Sequence, residues 1–102
     1  MGGSQFMALA LSRSIALPAI VDLDSLDPIR DELVDAIDSG SVTVKAAGVE
    51  RVATNALFML LSAAETARRN THAFTVSEPS EAFLAAISRL GLGHRFAGIL
   101  EG

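Results

Sequence analysis

Short β-branched stretches alternate with helix-period stretches over most of this chain, and few folds accommodate that alternation. Ser41–Ala46 (SVTVKA) alternates and is rich in β-branched residues, which predicts a strand. A helix pattern stands on either side of it. Before it, Ile29, Leu33, Ala36 and Ile37 share one face, and Asp31, Glu32, Asp35 and Asp38 the other. After it, Leu57, Leu60, Leu61 and Ala64 form the apolar face of a helix running to about Arg69. His72–Val76 (HAFTV) predicts the next strand, and a third helix follows with Phe83, Leu84, Ile87 and Leu90 inside. A strand, a helix and a strand in that succession form a βαβ unit with parallel strands and a right-handed crossover.

The boundaries carry recognisable signals. Asp27 is expected to cap the first helix, with Pro28 at its first position, where the missing N–H is not needed, and Leu26 as a staple. Ser39-Gly40 ends that helix, with Gly40 expected in the left-handed closing conformation. Ala47-Gly48 is a loop, Thr54 or Asn55 caps the second helix, and Asn70-Thr71 ends it. Ser77–Ser80 (SEPS) starts the third helix, Gly91–Gly93 closes it, and the tail from Arg95 has room for one more turn. At the start, Met7–Leu11 and Ser14–Leu17 read as two strands of a hairpin turning at Ser12-Arg13, with Pro18 ending the second. Ile20–Leu23 is apolar and fits a strand or a loop. The order β-β-α-β-α-β-α predicts an α/β fold, an open sheet of about four strands with helices packed on one face. Residues 1–6 (MGGSQF) read as a cloning remnant or disordered start, and 7–102 as one domain.

Composition narrows the function. The chain has 102 residues, the size of one domain, and at 50% hydrophobic it is too apolar for disorder. It has no cysteine, so disulfides, thiolate metal sites and cysteine nucleophiles are excluded. A net charge of −4 lacks the basic balance of a nucleic-acid binder. No apolar run reaches membrane-spanning length, and the start lacks a signal peptide's basic flank and cleavage site, so the cytoplasm is the expected location.

Few residues suggest catalysis. His72 and His94 are expected at the surface and lack metal-ligand spacing. The glycines form no phosphate-binding loop. Lys45, the only lysine, is expected to extend its ammonium from a strand end. The acids from Asp22 to Asp38 lack the loop spacing of a calcium site and read as a solvated helix face. No metal and no cofactor are expected, and no nucleophile–base pair suggests an enzyme. One junction stands apart. Val49–Leu57 (VERVATNAL) leads into the second helix with a hydroxyl near its start, where unpaired N–H groups favour an anion.

In three stretches the chain resembles the STAS family, the domain of bacterial anti-sigma-factor antagonists and sulfate-transporter tails. The first is the acidic helix with Ser39-Gly40 and the strand Ser41–Ala46. The second is Ala47–Leu57 (AGVERVATNAL), similar to the family's "sgvefiDSSGL". The third is Phe74–Ser80 (FTVSEPS) with Phe83, Leu84, Leu90-Gly91-Leu92 and Phe96, similar to "lvnpsp…lL…tGL…lf". The resemblance runs from about Leu17 to Phe96. In the family the second serine of DSSG is the regulatory phosphorylation site. Ala53 stands at the Asp, Thr54 at the first Ser, Asn55 at the second and Ala56 at the Gly, while Lys45 stands where many members carry an Asp.

The resemblance therefore implies a binding module in which Asn55 blocks the usual switch. Either Thr54 takes the phosphate or the domain binds without one. Ala53, Phe58 and Met59 are the interface candidates beside Thr54 and Asn55. Burial is expected for Phe58, and Met59 faces either a covering element or a partner. The implied partner is an anti-sigma-like or histidine-kinase-like ATPase. The alternative is the ATPase of a bacterial lipid-asymmetry transporter, whose STAS subunits carry a threonine at the key helix start. The family's last strand and helix are expected to be missing, leaving a sheet edge through which a homodimer could form.

Overall fold

The computed structural model of the chain describes residues 12–101. In chain order the elements are β1 (Ser12–Ala16), β2 (Ile20–Val21), α1 (Leu23–Ser39), β3 (Ser41–Lys45) and β4 (Arg51–Val52). They continue with α2 (Thr54–Arg69), β5 (Phe74–Ser77), α3 (Glu81–Arg89), α4 (Gly93–Phe96) and β6 (Leu100–Glu101). Strands β1-β3-β5-β6 form one sheet and β2-β4 a short ribbon, and every pairing is parallel. Each step across the main sheet moves the same way, with one or two helices in the connection. Right-handed crossovers in one direction stack the helices on one face, so the expected α/β open sheet is the architecture found.

The register separates the two faces. Ile15, Val44 and Val76 lie in one row and Val42 and Phe74 in another, all buried against the helices. Residues of the other parity, among them Ser14, Thr43, Thr75, Lys45 and Ser77, face away from the helices. The helices fill the core with Ile29, Leu33, Ala36 and Ile37 from α1, Leu57, Leu60 and Leu61 from α2, and Phe83 and Ile87 from α3. Phe96 closes it edge-on to Phe83, with ring centroids 6.0 Å apart and planes at 89°. Such a pair adds about 0.5–1.5 kcal/mol beyond burial.

Several expected boundaries move. Ser12-Arg13 is not a turn but the first pair of residues of β1, because the alternation around Ile15 continues through them into pairing with β3. Met7–Leu11, the other half of the expected hairpin, lies outside the described residues. Helix α1 begins at Leu23, not Pro28. Asp22 accepts the Ser25 N–H and the Ser25 hydroxyl bonds the Asp22 N–H, a reciprocal cap that sets the start five residues earlier. Pro28 then sits in the second turn, where it costs one helical hydrogen bond to the exposed Asp24. Gly40 ends α1 at φ 156°, ψ −145°, an extended glycine-favoured geometry rather than the left-handed helical one.

The third helix also differs. Leu84 and Leu90, expected inside, are each 42% exposed. The buried stripe is Phe83, Ala86 and Ile87, and Leu90 lies beyond the helix at its C-cap. Phe96 takes the volume they leave. The tail also supplies β6, so the last strand is present, though only two residues long.

Candidate functional site

Two strand–helix units lie side by side. Ile20 pairs with Arg51 and Val21 with Val52, and the Ala53 N–H then donates to the Val21 carbonyl at 2.8 Å. Asp22 and Ala53 follow as the N-cap residues of α1 and α2. Leu23 and Thr54 thus hold equivalent first positions in two neighbouring parallel helices.

The helix starts are built differently. At α1 the Ser25 hydroxyl bonds the Asp22 carboxylate at 2.9 Å, and this bond holds the carboxyl below its ordinary value of 3.8. At α2, Ala53 is extended (φ −74°, ψ 151°) and has no side chain with which to cap. Its carbonyl takes the N–H groups of Ala56 and Leu57 at 3.0 and 3.3 Å. Thr54 therefore does not cap the helix, and neither does Asn55. The ribbon pairing ends at Ala53 and fixes the start one residue before the hydroxyl. Both side chains are exposed, and among the described residues neither the Thr54 hydroxyl nor the Asn55 carboxamide has a hydrogen-bond partner. The first N–H groups of α2, at Thr54 and Asn55, are also without a backbone acceptor among the described residues, as a helix start has no internal acceptor for them.

Phe58 stands one turn above Thr54 and is 44% exposed, contrary to the expected burial. Met59 is covered instead, half-buried in a groove of about 170 Å³ between α1 and α2 beside Leu33, Val34 and Ile37. Helix α2 touches both the sheet and α1, so its buried arc is wide and Phe58 falls just outside it. Ala53 is half-buried beneath Thr54. Two residues near this face were missed in the sequence: Ile20, 47% exposed, and Leu23, 64% exposed. The signal for Leu23 was Asp22-x-x-Ser25, a capping pair that places an apolar residue at the first helical position.

The remaining polar candidates lie elsewhere. Lys45 is exposed at the end of β3, on the face away from the helices. His94 is exposed in α4. His72 is not a solvated edge residue. It is half-buried, and its Nδ1 bonds the Ile37 carbonyl at 2.8 Å, satisfying a group in the last turn of α1. Among the described residues no group of three or more His, Asp or Glu is placed to hold a metal. Nor is any helix there long and apolar enough to cross a membrane.

The face at the two helix starts offers a hydroxyl, a carboxamide and free N–H groups, bordered by exposed Ile20, Leu23 and Phe58. Such a surface can hydrogen-bond a docked partner and bury apolar area against it. No curated protein matches the chain. A family model described as "Mlab, STAS domain" matches residues 8–101, nearly its whole length. The parallel sheet, the helices on one face and that match together place the chain in the STAS domain family.

Proposed function

We propose that this chain is a non-catalytic docking module of the anti-sigma-factor-antagonist type, which seats a kinase-like or anti-sigma-like ATPase on the paired starts of α1 and α2. The observation that carries the reading is the exposed, unbonded Thr54 hydroxyl at the first position of α2, with Leu23 at the equivalent position of α1. Leu23 and Phe58 are the apolar anchors, and Thr54 and Asn55 fix the partner's orientation. Interfaces of this kind draw most of their affinity from a few such anchors.

Charge gives Thr54 its regulatory meaning. A phosphate there would add about −1.5 to −2 charges. The start of α2 favours an anion, so the fold would tolerate it. A partner seated on the hydroxyl would meet a desolvated charge instead, close to the acidic start of α1. Asn55, at the family's phosphoserine position, has no hydroxyl to modify, so any switch here acts through Thr54.

A threonine followed by a residue that cannot be phosphorylated also suits the second reading, a STAS subunit bound to the ATPase of a lipid-asymmetry transporter. One experiment separates the two. Tagged wild-type chain is used to co-purify partners from the source cells, which are identified by mass spectrometry and rebound as purified proteins. An anti-sigma or histidine-kinase-like ATPase supports the first reading, and a transporter ATPase with its membrane subunits the second. In either case Thr54→Glu should weaken binding at least tenfold with little change in Tm. Unchanged affinity removes Thr54 from the interface and sinks the proposal.

A further inference from the structure

A groove of about 770 Å³ runs along the C-terminal half of α2, bounded by the start of β5 and by the residues just before β6. Its floor is apolar, with Leu61, Phe74 and Ile99. Its rim is basic: Arg68 and Arg69 from α2 and Arg95 from α4. Arg68 is paired with Glu65, whereas neither Arg69 nor Arg95 has an ion-pair partner among the described residues. The rim is thus positive in a chain whose net charge is −4. Pairing between β5 and β6 begins only at Val76, so Phe74 and Thr75 have no strand beside them on the groove side among the described residues. The groove is only partly enclosed, and a protein segment can enter it from solvent.

The complementary surface is on the same chain. Asp24, Asp31 and Asp38 recur every seven residues along α1, and all three are exposed. None of them is in an ion pair among the described residues, in contrast to Asp27 and Asp35. Val34, 54% exposed, stands beside that stripe. Helix α1 packs against α2 and reaches the border of the groove, where His72 of the lining bonds the Ile37 carbonyl, yet among the described residues no ion pair joins the stripe to Arg69 or Arg95 within one chain. We propose that the groove receives the acidic stripe of α1 from a second copy of this chain, a head-to-tail contact in which Asp31 and Asp38 meet Arg69 and Arg95 and Val34 covers the apolar floor. Such a contact joins two different patches, so it propagates into rings or filaments or, where both patches engage at once, closes as a reciprocal two-fold dimer. The Thr54 hydroxyl lies outside the contact, but Phe58 also lines the groove, so the self-contact and the docking face share that residue.

The test uses sedimentation over a concentration series. At about 0.1 M salt, where charges interact over roughly 10 Å, the mass of the wild-type chain should rise above its 10.6 kDa monomer. At about 1 M salt, where that range falls to roughly 3 Å, it should return to monomer. Arg69→Glu with Arg95→Glu should be monomeric at both salts, and so should Asp31→Lys with Asp38→Lys. An equal mixture of the two variants should regain the rise in mass at about 0.1 M salt, because the Asp stripe of one fits the Arg groove of the other and the Lys stripe fits the Glu groove. Circular dichroism checks that each variant is folded. The milder pairs Arg69→Gln with Arg95→Gln and Asp31→Asn with Asp38→Asn, each expected to weaken association, replace any that is not. A wild-type chain that stays monomeric at 0.1 M salt overturns the proposal. So does association that survives the arginine changes, or a mixture that stays monomeric.

Discussion

Ser80 joins two parts of the fold through one hydroxyl, and its removal has a cost that can be worked out. Its Oγ accepts the Phe83 N–H at 3.1 Å, capping α3, and donates to the Val49 carbonyl at 2.6 Å. Val49 is 2% exposed, so its carbonyl is poorly placed to recruit water. In Ser80→Ala the lost cap costs about 1 kcal/mol, within a range of about 0.5–2. The orphaned carbonyl costs a further ~1–3 kcal/mol. The variant should therefore lose about 2–4 kcal/mol in urea unfolding. For a domain of this size each kcal/mol moves Tm by roughly 4–8 °C, so Tm should fall by at least about 8 °C. Ser80→Gly separates the two contributions. Glycine is within a few tenths of a kcal/mol of serine as a cap but cannot bond Val49, so this variant should lie between wild type and Ser80→Ala. If Ser80→Ala unfolds within about 0.5 kcal/mol of wild type, neither bond stabilises the fold as described. If Ser80→Gly is the less stable of the two, capping is not the larger difference between them.

Three further outcomes follow from local geometry. Thr71 occupies the left-handed position at φ 60°, where it closes α2 with the His72 N–H bonding the Ala67 carbonyl. Thr71→Gly relieves about 1–2 kcal/mol of left-handed strain, offset in part by glycine's freedom in the unfolded chain, and should raise Tm by a few degrees. His72→Ala leaves the Ile37 carbonyl without its partner and should cost about 1–2 kcal/mol in the same unfolding assay. Asp22 is held below its ordinary 3.8 in the folded chain, so its contribution is present above that pH and is lost as pH falls through the lowered value. Asp22→Asn keeps a capping side chain, and its Tm should fall less steeply than wild type below pH 3.8.

Much of the sheet and its helices was legible because the hydrophobic period changes cleanly. Ser41–Lys45, the buried stripe of α1 and the apolar face of α2 each follow one template. The failures have separate physical causes. Asp27-Pro28 is a strong local start signal, but the reciprocal Asp22–Ser25 bonds prevail and carry the helix through the proline. Two residues show no periodicity, so β6 was invisible although it completes the sheet. Thr54 is the better capping residue by side chain, yet the β2–β4 pairing ends at Ala53 and decides the start. Helix α2 reads Ala56–Leu61 without a polar residue, so period alone could not say which flank is exposed. That depended on α1 lying against Met59 and leaving Phe58 in water.

The central claim, that the paired helix starts form the docking face, is tested most directly by hydrogen exchange on the chain with and without its co-purified ATPase partner. The first amides of α2, at Thr54 and Asn55, have no internal acceptor and should exchange fast in the free chain. Bound partner should slow exchange at residues 20–23 and 53–58 while leaving the amides of residues 70–73, beyond the opposite end of α2, unchanged. Protection confined to residues 70–73, with Thr54 and Asn55 exchanging as fast as before, would contradict the account.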